Sequence, residues 1–191
     1  MSSTTRNLIL ILGDQLDEFA TVLHDFDPTQ DKIWMAEVIE ESSHVTSSKQ
    51  RTAFFLSAMR HFAALLKNKA WSVIYTELND PQNTGSLAGE LEKAIQTYQP
   101  QALKMTAPGD YRVLQNLRTV AKQKQLPLDI ADDSHFFTTV REFSQHAKDR
   151  KQLRLEYFYR ELRQKTGILM EGKKPVGGKW NFDSDNRSSF G

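Results

Sequence analysis

Two short polar clusters in this 191-residue chain have the residue types needed to hold a small molecule. Gly13-Asp14-Gln15 ends the apolar run Leu8-Ile9-Leu10-Ile11-Leu12. Glu37, Glu40 and Glu41 fall close together and lead into a polar run through Ser42, Ser43, His44, Ser47 and Ser48. A carboxylate accepts hydrogen bonds from a ligand's hydroxyls or imide, and several together bind a divalent ion. Plainer readings stand beside these. Gly13 can simply make a turn, with Asp14 capping the segment after it, and the glutamates can form a solvated loop. Residue types leave both open.

A third cluster lies in residues 148 to 165, where Arg150, Lys151, Arg154, Arg160, Arg163 and Lys165 alternate with Tyr157, Phe158 and Tyr159. Basic residues interleaved with aromatics suit phosphates and stacked bases. A packing helix with Leu153, Tyr157, Phe158 and Leu162 on one side explains the same pattern. Several chemistries are missing from the sequence. There is no Walker loop, no Gly-x-Gly-x-x-Gly fingerprint, no zinc-binding spacing and no serine elbow. No catalytic residue and no metal site is therefore assigned.

The elements that must position these clusters follow from periodicity. An unbroken apolar run ended by Gly reads as a strand buried on both faces, at the centre of a parallel sheet. Further strands are predicted at residues 33 to 38, 71 to 76, 102 to 106 and 127 to 130. Between them, helices are predicted over residues 49 to 69, 87 to 98 and 113 to 125. The first of these helices carries Phe54, Phe55, Met59, Phe62 and Leu66 at helical spacing. Its His61 reads as a half-buried structural histidine. Lys49 and Arg51 in its first turn can answer the preceding glutamates or meet an anionic ligand. This alternation predicts an α/β fold, a doubly wound five-stranded parallel sheet of Rossmann-like type, over residues 6 to 140. Ligands of such sheets bind outside the carboxyl ends of the strands. Residues 141 to 191 read as a helical extension followed by a glycine-rich linker or docking segment, with Trp180 and Phe182 as its large aromatics.

With 25 basic and 24 acidic residues, no global field draws the chain to nucleic acid or membrane. The absence of cysteine removes disulfides and thiolate ligands. The first apolar run is too short to span a bilayer and lacks a cleavage site, so the cytoplasm is the expected location.

Specific strings go further than composition. Leu10-Ile11-Leu12-Gly13-Asp14-Gln15-Leu16, Phe54-Phe55-Leu56-Ser57-Ala58-Met59-Arg60-His61-Phe62-Ala63, Pro108-Gly109-Asp110-Tyr111-Arg112-Val113, Glu156-Tyr157-Phe158-Tyr159-Arg160 and Gly177-Gly178-Lys179-Trp180-Asn181-Phe182-Asp183 arrive in one order. Together they resemble the amino-terminal domain of the prokaryotic photolyase-related proteins, the iron–sulfur (6-4) photolyases and bacterial cryptochromes. The resemblance implies an antenna domain that binds 6,7-dimethyl-8-ribityllumazine, with Asp14, Gln15, Glu37 and Glu41 matching the region that holds it. It implies that FAD and a cysteine-bound iron–sulfur cluster belong to a helical domain missing from this chain. The expected role is then light harvesting for DNA photorepair or photoreception, with no repair by this chain alone. Where relatives have paired histidines before the helix lysine, Ser47-Ser48-Lys49 stands here. Two alternatives come from other classes: an interaction module docking a separately encoded partner, and weak DNA binding by the basic-aromatic helix.

Overall fold

The computed structural model describes residues 5 to 182. Five strands, β1 (Asn7–Leu10), β2 (Lys32–Ala36), β3 (Val73–Thr76), β4 (Ala102–Thr106) and β5 (Leu128–Ala131), form one parallel sheet in the order β3-β2-β1-β4-β5. β1 is central, paired with β2 on one side and β4 on the other. Helices α1 (Ile39–Ser43), α2 (Lys49–Asn68), α3 (Leu87–Tyr98) and α4 (Tyr111–Gln123) connect the strands. This is the α/β sheet that the alternation of the sequence predicts.

The unbroken apolar run of β1 has a direct cause. Successive side chains of a strand point to opposite faces, and both faces here are covered. Leu8 and Leu10 pack with Trp34, Met105, Leu91 of α3 and Leu117 of α4. Ile9 and Ile11 pack with Ile33, Met35, and Met59 and Leu66 of α2. Neither face has room for an alternating polar residue.

Two expectations for α2 need correction. Phe54 is 78% exposed and Phe55 is exposed as well, while Met59, Phe62, Ala63 and Leu66 are buried. A 20-residue helix runs roughly 30 Å, about twice the length of a five-residue strand. Its amino-terminal turns therefore have no sheet beneath them. His61 is exposed rather than half-buried, and its Nδ1 meets the Ser57 carbonyl at 2.8 Å. Helix α4 starts at Tyr111 because Asp110 caps it, accepting the Arg112 amide at 2.7 Å.

A second compact unit begins at His135. Its helices are α5 (Val140–Ala147) and α6 (Leu155–Thr166). A capping box opens α5, with Thr139 and Glu142 each bonding the other's backbone amide. Phe143 meets Phe158 edge to face, and His146 Nδ1 lies 2.6 Å from Glu161. The glycine-rich stretch is not featureless. Met170–Glu171 pairs with Lys174–Pro175 in an antiparallel hairpin, and the Trp180 ring lies 5.5 Å from the Arg160 guanidinium and 5.3 Å from that of Arg163. Asp183 and the residues after it lie outside the described residues. Among the described residues no helix is long and apolar enough to cross a membrane.

Candidate functional site

The loops that follow β1, β2 and β4 converge with the amino-terminal half of α2 around a cavity of about 420 Å³. That volume lies within the range of small-molecule pockets. Ile11, Leu12, Val38, Met59, Leu87 and Val113 supply apolar wall, and Phe55 adds an aromatic ring. Asp14, Glu37, Glu41, Ser47, Arg51 and Asp110 supply the polar lining.

Gly13 is required by close approach. A Cβ built there would fall 2.5 Å from a Phe55 ring carbon and 2.8 Å from the Met59 sulfur. Gly13 also makes the turn that its residue type suggests, since the Gln15 amide donates to the Leu12 carbonyl at 3.0 Å with Gly13 and Asp14 between them, although its φ is not positive. Its missing side chain lets Phe55 lie against the end of β1.

Glu37 has a closed set of partners. It is 1% exposed and takes Arg60 Nε at 2.6 Å and Nη2 at 2.8 Å, the Tyr75 hydroxyl at 2.6 Å and the Leu78 amide at 2.8 Å. Burial pushes its carboxyl up, but the bonds from Arg60, Tyr75 and Leu78 outweigh that and hold it below the usual range. Burial, together with the bond to Glu37, pushes the Tyr75 phenol well above its ordinary value. The Asn83 amide donates to the Glu37 carbonyl at 2.6 Å and ties in the loop after β3. Four donors fill the acceptor sites of this carboxylate.

A second ionic cluster is centred on Arg112. Its Nη2 meets Glu41 at 2.8 Å and Asp110 at 3.3 Å, and its Nη1 meets Glu40 at 3.4 Å. This links the loop after β2 to the loop after β4. Among the described residues only one Glu41 oxygen is engaged. The cations that answer the glutamates are thus Arg60 and Arg112, not Lys49 and Arg51.

Gln15 is buried and lies outside the cavity lining. Its Nε2 donates to the carbonyls of Ala107 at 3.1 Å and Thr106 at 3.4 Å, while its Oε1 is shut off from solvent with no donor. Two carbonyl partners fix which end of the amide is nitrogen. Gln15 thereby moors the loop after β1 to the end of β4. Asp14 is exposed, lines the cavity and receives no hydrogen bond among the described residues. No group of three or more His, Asp or Glu side chains among the described residues is arranged to hold a metal ion.

Sequence reasoning placed Asp14, Glu37 and Glu41 around one space but missed Arg60, Tyr75 and Arg112. Arg60 and Tyr75 lie 23 and 38 positions from Glu37, and Arg112 lies 71 from Glu41. A strand register would have exposed one of them. Met35 pairs with Tyr75, so Tyr75 shares a face with Met35 and Glu37 follows two positions on.

The family model described as deoxyribodipyrimidine photo-lyase-related protein matches residues 9 to 191. A (6-4) photolyase of Agrobacterium fabrum is 44% identical over 180 residues, covering 94% of this chain and 36% of the relative. The chain therefore spans about a third of that photolyase. An uncharacterised protein of Acanthamoeba polyphaga mimivirus is 24% identical over 97% of this chain and 95% of its own length. The matched span takes in every element of the parallel sheet apart from the first residues of β1, and on that basis the chain belongs to the deoxyribodipyrimidine photo-lyase-related protein family.

Proposed function

We propose that this chain is a light-harvesting domain that holds a lumazine-type chromophore, such as 6,7-dimethyl-8-ribityllumazine, in the cavity beside Asp14. The observation that carries the reading is the cavity itself, with apolar and aromatic walls and a rim of carboxylates at the carboxyl ends of parallel strands. Asp14 and the open oxygen of Glu41 accept hydrogen bonds from ribityl hydroxyls or from the imide of the ring. Glu37 and Gln15 act behind them, fixing the loops after β2 and β1. Phe55 gives the ring a face to stack on.

Photorepair passes an electron from a flavin to the lesion, chemistry that the cofactor supplies. The chain has no cysteine to ligate a cluster, and FAD and the iron–sulfur cluster are assigned to a helical domain outside these residues. The role of this chain is then to absorb light and pass excitation on. Titrating the purified protein against 6,7-dimethyl-8-ribityllumazine tests the proposal through fluorescence anisotropy. A saturable rise is expected, and no change at high micromolar protein overturns it.

A second reading has its own observation. Phe136, Phe137, Leu155, Leu169 and Phe182 of the second unit are more than half exposed, which suits a surface that docks a flavin-binding helical partner. Direct DNA binding draws less support, because Arg150, Arg160 and Lys165 are ion-paired with Glu161, Glu156 and Glu142. Retardation of duplex DNA at low salt would restore it.

A further inference from the structure

We infer that residues 39 to 48 form a strap over the cavity and that Arg112 is the positioning residue that latches it, so that a ligand enters and leaves when this ion cluster parts. The inference rests on the chromophore-binding reading and adds to it the route by which the ligand reaches the site.

The strap is wall without core. Glu41, Ser42, Val45, Thr46 and Ser47 line the cavity, yet none of residues 39 to 48 is buried, and the helix within them, α1, is only five residues long. Apolar packing therefore does little to hold it down. Its other ties are few. The Glu40 amide donates to the Gly85 carbonyl at 3.1 Å, close to where the strap leaves β2. Beyond that, the side-chain ties among the described residues run to Arg112, which meets Glu41 at 2.8 Å and Glu40 at 3.4 Å. From Ser42 to Ser47 the hydrogen bonds among the described residues stay inside the strap, as in the His44 amide to the Glu40 carbonyl at 3.0 Å.

Arg112 is placed against the preference of its own helix. It stands in the first turn of α4, where the dipole favours anions and no acidic side chain is present. Its charge is offset from outside that turn, by the Asp110 cap at 3.3 Å and by the two glutamates of the strap. Asp110 lines the cavity as Glu41 does, so the cluster joins two parts of the wall that no backbone hydrogen bond connects among the described residues. The latch is also built to release. The side chains of Arg112, Glu40 and Glu41 are 26%, 35% and 34% exposed, so water and salt reach them. The Arg112 Nε is shut off from solvent with no partner, and water restores that bond once the cluster opens.

Stopped-flow mixing of the full chain with 6,7-dimethyl-8-ribityllumazine reads the latch in two rate constants. In Arg112→Gln, association and dissociation should both speed up, by about threefold to tenfold, because entry and exit use the same opening. A group that only gripped the ligand would change dissociation alone. The lumazine is uncharged near neutral pH, so raising NaCl to about 0.5 M should speed association with the unmodified protein and leave Arg112→Gln unchanged. Glu40→Gln, at a side chain outside the lining, should give the same pattern at smaller size. In the free protein, exchange of the His44 amide should accelerate in Arg112→Gln by the same factor as association. Unchanged association in Arg112→Gln, or unchanged His44 exchange, overturns the inference, and the chromophore reading stands so long as the lumazine binds saturably. If the lumazine does not bind the unmodified protein, that reading falls, and His44 exchange alone decides for or against the latch.

Discussion

Two sides of one cavity differ in how completely they are finished. On the β2 side each glutamate has found a cationic partner: Glu37 is enclosed by Arg60, Tyr75 and the Leu78 amide, and Glu40 and Glu41 converge with Asp110 on Arg112. On the side formed by the end of β1 and the start of α2, Asp14, Ser47 and Arg51 have none among the described residues. A fold that satisfies one set of charges through three secondary elements and leaves the neighbouring set open has separated framework from binding surface. The carboxylate most prominent in the sequence belongs to the framework.

If that division is right, substitutions on the two sides should fail in different ways. Glu37→Ala should cost the most stability, about 2–4 kcal/mol by urea unfolding, because it leaves Tyr75 and the Leu78 amide without their acceptor. The figure sits at the lower end for a broken ion pair because Arg60 is half exposed and regains water.

The same framework should appear in a pH series. Glu37 and Asp31 are held below the ordinary carboxylate range, in each case because bonds, led by those from Arg60 and Arg6 respectively, outweigh the upward push of burial. A depressed folded value means that the stabilisation is complete above the unfolded range of about 4 to 4.5 and is lost as pH falls through the folded values. The thermal midpoint should therefore fall steeply below about pH 4.5. Glu37→Gln should make the decline shallower by removing one of the depressed groups.

Gly13→Ala sharpens the contrast from the boundary between the sides. The new methyl meets the Phe55 ring, an exposed side chain able to swing aside, and also the sulfur of buried Met59, so the loss of stability should be about 1–3 kcal/mol. Displacing that ring reshapes the cavity, and chromophore affinity should fall at least about tenfold. The double variant with Phe55→Ala should recover part of the stability, the contact with the Met59 sulfur remaining, and none of the affinity. Asp14→Asn should move stability least, by no more than about 0.5 kcal/mol, since its carboxylate has no partner to lose. Its effect should be confined to ligand affinity, read by anisotropy.

The sheet was legible because its signals are local. Unbroken apolar runs and helical spacing act within a few residues, and the helix over residues 87 to 98 and the strand over 102 to 106 fall where the sequence predicts them, whereas α4 opens at Tyr111 rather than at 113 because Asp110 caps it. The site was legible only in part. That Glu37 stands at the end of β2 could be read directly, but that it is saturated depends on Arg60 and Tyr75, which reach it only once α2 and β3 are packed. The apolar spacing of α2 misled at Phe54 and Phe55 because periodicity defines a face, not how far the sheet extends beneath it. Gly13 was likewise readable as a glycine and not as a close approach, since Phe55 comes to it from 42 positions away.

The central claim is where the chromophore sits, and amide chemical-shift mapping with 6,7-dimethyl-8-ribityllumazine tests it most directly. Saturable shifts are predicted at Gly13, Asp14, Glu41, Ser47 and Phe55, with residues of α6 unmoved. Shifts confined to residues 140 to 182, or none at millimolar ligand, would contradict the account.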